Sequence, residues 1–126
     1  MNATLKLGEH LIFDLSGCNH EILMDSERAY SLFAQAVRES GLTVVDEGFY
    51  KFSPHGFTCF LLLSESHASL HAWPEYDYCA IDLFTCAIGK DLLPLIHRLK
   101  ELFGAENYSL RKFDREAEVE QIPLPV

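Results

Sequence analysis

Five residues near the middle of the chain carry the chemistry: Ser66, His67, Ser69 and His71 in the stretch SESHASLH, and Cys86 fifteen positions beyond its last histidine. A serine and a thiol can act as nucleophiles, an imidazole can move protons, and a thiol can also deliver one. The stretch follows the apolar run CFLLL and leads into AWPEYDYCAIDLFTC, which is apolar and aromatic again. Polar groups in such a setting are held in or beside a core.

Two strands must position them. Period two puts His67, Ser69, His71 and Trp73 on one face of the first strand, and Ala68, Leu70 and Ala72 on the other. On the next strand Ala80, Asp82, Phe84 and Cys86 share a face. A tight turn at Pro74–Asp77 that pairs Trp73 with Tyr78 sets His71 opposite Ala80 and brings Cys86 level with Glu65, beside Ser66. Both histidines, Asp82 and Cys86 then line one surface. A slip of one residue would reverse every side chain.

Four readings of that surface stand open. It can be a set of satisfied polar residues on an open sheet face. It can be a metal site, although HxxxH is a helical spacing and four residues along a strand separate the rings too far for one small ion. It can be a Cys–His pair, with no oxyanion hole evident in the sequence. Or the Ser66 hydroxyl can attack the carbonyl of its own Glu65–Ser66 bond. Elimination from the resulting ester, then hydrolysis, would leave two chains, the second opening with a pyruvoyl carbonyl. That group would serve an amine substrate as an electron sink.

The surrounding elements are ordinary. His10–Ser16 reads as a strand. Asp25–Ser40 reads as a helix with Ala29, Leu32, Phe33, Ala36 and Val37 on one face, Asp25 as its cap and Gly41 as its stop. Leu42–Phe52 reads as β with a bend at Gly48, and Phe57–Leu63 as a buried strand. Asp91–Phe103 reads as a second helix, Glu106–Phe113 as a last strand, and the tail after Asp114 as irregular. Helices on one face of a mainly antiparallel sheet, an α+β two-layer sandwich, are expected over the single domain 1–126.

The chain has 126 residues and a formal charge of −9. Phosphate binding needs clustered Lys and Arg, so the charge argues against a nucleic-acid partner. No apolar run is long enough for a membrane span. The start lacks the pattern of a secretory signal, so the expected location is cytoplasmic. The four cysteines form no CxxC pair, a poor fit to a zinc ribbon, and a reducing compartment leaves them unpaired.

The segment SESHASLHAWPEYDYCAIDLFTC resembles the central segment of the prokaryotic S-adenosylmethionine decarboxylase proenzymes, ESHxxxHxWPExxYxAxDxFTC. LGEHLIFDLSGCN is similar to that family's N-terminal segment, and FSPHGFT to the part before its cleavage site. The resemblance implies self-cleavage between Glu65 and Ser66 into chains 1–65 and 66–126. It implies that Ser66 becomes a covalent pyruvoyl cofactor that forms a Schiff base with the substrate amine. His71 would transfer protons in processing, with Thr58 in support where the family usually has serine. Cys86 would protonate the α-carbon after carbon dioxide leaves. Phe52 would stack on adenine, Trp73 would add a second aromatic face, and Glu75 would bind ribose or the cation. No metal is implied. A homodimer with active sites at the subunit interface is implied, and a product that donates aminopropyl groups to spermidine and other polyamines.

Departures include Ala72 for threonine, Asp77 for glycine, Cys79 for a small residue and Ala87 for glycine. Phe52, Trp73 and Glu75 favour S-adenosylmethionine as substrate. Asp77 is expected as a solvated turn residue rather than a ligand. The alternatives are the same chemistry on L-ornithine or L-arginine, and a non-catalytic, unprocessed dimeric binding relative.

Overall fold

The alternating pattern read along the two central strands forms, with the pairing expected. The computed structural model describes residues 2–120. In chain order it contains β1 (Asn2–Ser16), α1 (His20–Met24), α2 (Ser26–Glu39), β2 (Val44–Lys51), β3 (Phe57–Leu63) and β4 (Ser66–Trp73). A 3-10 turn (Pro74–Tyr76), β5 (Tyr78–Thr85), α3 (Leu93–Leu102) and β6 (Asn107–Glu120) follow. The strands make one six-stranded sheet in the order β2-β3-β4-β5-β1-β6. Every neighbouring pair is antiparallel. Helices cover one face, so the expected α+β two-layer sandwich is what forms.

Alternation assigns the faces. Phe57, Cys59, Leu61 and Leu63 of β3, Ala68, Leu70 and Ala72 of β4, and Cys79, Ile81 and Leu83 of β5 are all buried. They meet Ala29, Phe33, Ala36 and Val37 of α2 and Leu95, Ile96 and Leu99 of α3 in one apolar cluster. Each large side chain fully buried there contributes about 1.5–3 kcal/mol. Asp25 caps α2 as expected, its carboxylate accepting the Arg28 N–H at 3.2 Å. Gly41, at a φ of +88°, takes the chain out of the helix. Trp73 stands opposite Tyr78, His71 opposite Ala80 and Ser66 opposite Thr85. The register places His67, Ser69, His71, Asp82 and Phe84 on the face that the helices leave open.

The sequence reading misses four features, the first being that β1 begins at Asn2 and not at His10. α1 is too short for periodicity to reveal, although Asn19 caps it, accepting the Ile22 N–H at 3.1 Å. Gly48 does not bend β2. It pairs regularly with Phe60, and the register shifts instead between Val44 and Asp46. The tail is not irregular after Asp114: β6 continues to Glu120, paired with β1 down to Asn2. Ala117 and Val119 alternate with glutamates there, and the first residues of β1 supply a partner that local reading could not supply. The final IPLPV lies outside the described residues. Gly8 sits at the bulge of β1, where a Cβ would lie 2.6 Å from the Phe84 ring, so only glycine lets that ring cross the strand.

One charge is buried midway along β1. Glu9 is 6% exposed. Its carboxylate accepts the Gly89 N–H at 3.0 Å and faces Lys112 Nζ at 2.9 Å and Lys6 Nζ at 3.2 Å. The Gly89 N–H, then Lys112, hold its carboxyl at about 2, below the ordinary 4.5, against the opposing effect of burial. A depressed carboxylate stabilises the fold above its unfolded pKa and loses that contribution as the pH falls through the folded value. Stability of the wild type should therefore fall between pH 4.5 and about 2 more steeply than that of Glu9→Gln, as read by urea titrations at successive pH values. Equal slopes would remove Glu9 from the acid response.

Candidate active site

The junction between β3 and β4 is under local constraint. Leu63 pairs with Ser66, so only Ser64 and Glu65 make the turn. Both are tied to the segment before β2. The Ser64 N–H donates to the Thr43 carbonyl at 3.0 Å, and Glu65 Oε1 accepts the Thr43 N–H at 3.0 Å. That N–H holds the Glu65 carboxyl below its usual range. Ser66 has a φ of +146°, a region that side chains other than glycine rarely adopt. Such a residue stores on the order of 1–3 kcal/mol, and persists only where its surroundings over-determine it.

The carbonyl of the same bond is polarised. The Cys86 N–H donates to the Glu65 carbonyl oxygen at 2.9 Å. A backbone donor aimed at a carbonyl stabilises negative charge that develops on that oxygen during attack. The sequence reading found no such donor, because the pairing of β4 with β5 supplies it. Cys86 also differs from the other cysteines. Cys18, Cys59 and Cys79 are buried, and Cys86 is exposed. Burial pushes the Cys59 thiol up to about 12, which leaves it unreactive.

A second group of expected residues gathers at the other end of β4. Thr58 Oγ1 and His71 Nδ1 lie 3.0 Å apart. They line a cleft of about 350 Å³ together with Phe52, Trp73, Glu75 and His55. The Phe52 and Trp73 rings are 48% and 41% exposed, so their faces are free to stack. His55, which the sequence reading passed over, sits 2.9 Å from Glu75 Oε2 through its Nε2. Gly56, at a φ of +94°, turns the chain so tightly that a Cβ would lie 3.1 Å from the Ala72 carbonyl. Asp77 is a left-handed turn residue whose carboxylate meets His20 Nδ1 at 2.9 Å, which agrees with its reading as a solvated turn residue.

The two groups do not meet within one chain. Ser66 and His71 are five residues apart on an extended strand, and a rise of roughly 3.3 Å per residue separates them by about 16 Å. Within one chain, therefore, His71 does not reach the serine whose processing it is expected to assist. The strand holds them apart and, five being odd, gives them opposite parity as well.

Between the two groups lies a polar cluster, of which the sequence indicated Asp82 and His67 but not His10. His10 Nε2 stands 2.9 Å and His67 Nε2 3.3 Å from Asp82 Oδ2, and the Ser69 hydroxyl donates to Oδ1. Burial pushes the Asp82 carboxyl up, but the hydrogen bonds from Ser69, His10 and His67 outweigh it and hold it below its usual range. The ring of His67 stacks between Phe60 at 5.7 Å and Phe84 at 5.9 Å. His10, His67 and Asp82 bring their ligand atoms within 4.8 Å of one another, the spacing of a possible cation site. Those atoms already satisfy each other by hydrogen bonding, and the cluster needs no ion to be stable. His67 and His71, the pair raised by the HxxxH spacing, do not converge.

Asp82→Ala leaves two imidazoles and a hydroxyl without their acceptor, and should cost about 1–3 kcal/mol in urea denaturation. Asp82→Asn, which keeps one oxygen, should cost less. Equal costs for both, or none, would mean that the cluster is not held by this carboxylate.

The chain matches known proteins in sequence and fold. Residues 9–116 match the family described as S-adenosylmethionine decarboxylase. The S-adenosylmethionine decarboxylase proenzyme of Carboxydothermus hydrogenoformans is 36% identical over 121 residues, 96% of this chain and 93% of the relative. That of Thermotoga maritima is 35% identical over 119 residues, 94% of this chain and 91% of the relative. The crystal structure of the adenosylmethionine decarboxylase from Aquifex aeolicus VF5 superposes with a TM-score of 0.81 at 28% identity, covering 95% of this chain and 98% of that one. With the match extending from the first strand to the last, this chain belongs to the S-adenosylmethionine decarboxylase family.

Proposed function

We propose that the chain is a proenzyme that cuts itself between Glu65 and Ser66 and then decarboxylates S-adenosylmethionine. The observation that carries the reading is the junction itself. A serine with a φ of +146° follows a carbonyl that already accepts the Cys86 N–H at 2.9 Å. The Ser66 hydroxyl attacks that carbonyl carbon, and the amide becomes an ester. Loss of the Ser66 α-proton expels the Glu65 carboxylate and leaves dehydroalanine at position 66. Its imine tautomer takes up water and releases ammonia, so chain 66–126 begins with a pyruvoyl carbonyl. That group supplies an electrophile for the substrate amine and a sink for the electron pair left by carbon dioxide. His71, beside Thr58, handles protons in processing, and the exposed Cys86 thiol returns one to the substrate α-carbon.

Phe52 and Trp73 flank the adenine and the sulfonium, and Glu75 takes the ribose hydroxyls. Glu75 is the one carboxylate lining that cleft among the described residues, and His55 already meets it. A distal ammonium or guanidinium, as in L-ornithine or L-arginine, would find no second acid there. The product would be the aminopropyl donor for spermidine. Four unpaired cysteines suit the reducing cytoplasm.

A symmetric dimer joins the two groups. The open sheet face carries Phe60 and Leu62, each 42% exposed. A second copy laid across it by a two-fold axis would set the His71 and Thr58 of one subunit against the Ser66 and Cys86 of the other.

Intact mass under denaturing conditions should find chains 1–65 and 66–126, the second lighter by one ammonia than a serine-started chain. Ser66→Ala should give one uncut, inactive chain; cutting in that variant refutes the assignment. Cys86→Ala should lower turnover more than it lowers stability. Release of labelled carbon dioxide should follow S-adenosylmethionine and not ornithine or arginine. Ser66→Ala and His71→Ala, each inactive alone, should recover about a quarter of wild-type activity when co-expressed, because half of randomly paired dimers hold one complete site of two. No recovery would place both groups of each site in one chain.

A further inference from the structure

We propose that Glu9 is a positioning residue for the reaction, acting through the loop that carries Cys86. The proposal rests on the role given above to Cys86. Glu9 stands opposite Thr85, the residue just before the thiol, across the β1–β5 pair. Its side chain points to the helix-covered face, where apolar residues otherwise continue down the strand as Leu11, Phe13 and Leu15. An ionised carboxylate in such a place is costly unless it is fully paired. Here every partner leads to a different segment. The Gly89 N–H comes from the loop at 3.0 Å, Lys112 from β6 at 2.9 Å and Lys6 from β1 at 3.2 Å.

Cys86 lies between two fixed points. On its near side its own N–H donates to the Glu65 carbonyl at 2.9 Å. Three residues on, the Gly89 N–H is held by Glu9. The residues between form a tight turn, with the Ala87 N–H on Thr85 Oγ1 at 2.9 Å and the Ile88 N–H on the Cys86 carbonyl at 2.9 Å. Packing does not hold the far point. A Cβ at Gly89 would meet nothing within 4 Å, and the residue takes a φ of +84° that glycine adopts without strain. Without the carboxylate the stretch from Cys86 to Gly89 keeps its strand-side anchor but loses the side-chain tie at Gly89, and the next fixed residue is the buried Leu92. Both the amide that polarises the Glu65 carbonyl and the thiol then lose their fixed position.

Glu9→Ala tests this in the full-length protein, with Glu9→Gln as the variant that keeps an acceptor for Gly89. Self-cleavage of freshly made Glu9→Ala precursor should slow, and kcat of the processed enzyme should fall about 10-fold or more, since small misplacement of a reacting group is enough for such a loss. KM should stay within about twofold, because Phe52, Trp73 and Glu75, proposed to hold the adenosyl part of the substrate, are not among the groups that Glu9 ties. The pH profile of Cys86 alkylation by iodoacetamide should shift as well, and Glu9→Gln should restore much of each property. Val37→Ala, a core change in α2 matched for stability loss, separates positioning from general weakening: its kcat should stay at the wild-type value. A wild-type cleavage rate, kcat and alkylation profile in Glu9→Ala would overturn the proposal, as would a loss no greater than that of Val37→Ala. If Glu9→Ala does not fold, Lys112→Met, which removes the cation that holds the Glu9 carboxylate at 2.9 Å, decides it by the same readouts, and wild-type behaviour there would overturn it. Cys86→Ala, run alongside, tests the underlying reading on its own: wild-type turnover there would remove the role of the thiol, while the alkylation profile would still report whether Glu9 fixes its surroundings.

Discussion

The hydrogen bond from the Cys86 amide to the Glu65 carbonyl governs how the ends of three strands meet. It can form only because β4 and β5 pair with Ser66 opposite Thr85. That pairing forces a two-residue turn at Ser64–Glu65 against β3 and holds Ser66 in a backbone region where a side chain is strained. A relaxed turn would release the strain but would give up a ladder bond and the ties to Thr43. Cooperative pairing across the sheet thus maintains, at one residue, a conformation that the local sequence would not choose.

Strand geometry also explains why the chemistry is divided. Alternation aligns His67, His71, Asp82 and Cys86 along one open surface and leaves Ser66 at the strand's end with the opposite parity, and an extended backbone places Ser66 and His71 about 16 Å apart. Neither side-chain rotation nor a modest loop movement closes such a gap. In the proposed dimer a two-fold axis would close it, since each copy would present both ends of the strand in opposite order. The centre of the surface is occupied by Asp82 with His10, Ser69 and His67, a cluster whose partners are all satisfied. In the proposed dimer it would lie near the axis, where a saturated polar network could be covered without leaving an unpaired group.

Burial sorts residues of the same type into different roles. Three cysteines pack as small apolar groups, and one stands exposed on a turn. Of the acids at the sheet, Glu9 is held ionised by an amide and two lysines, whereas Glu75 keeps an open side toward an aromatic cleft. Residue type alone could not separate these cases, because it is the neighbours from other strands that set the environment.

Much of the fold was legible along the chain. Period two in SHASLHAW and YCAIDLFT defined their faces, the turn at Pro74–Asp77 fixed their register, and the spacing of Ala29, Phe33 and Val37 marked the main helix. These signals are local: they depend on residues a few positions apart. The family was legible as well, since its motif is one continuous segment. What the sequence could not reveal was long-range. The partner that extends β6, the donor for the Glu65 carbonyl, the His10–Asp82 contact and the tie from Glu9 to Gly89 all join residues tens of positions apart. So does the limit that separates Ser66 from His71, which needs the strand between them to be straight. The sequence by itself determined which residues share a face and which could react; only the tertiary structure decided which of them meet, because contact between distant strands is set by pairing across the whole sheet.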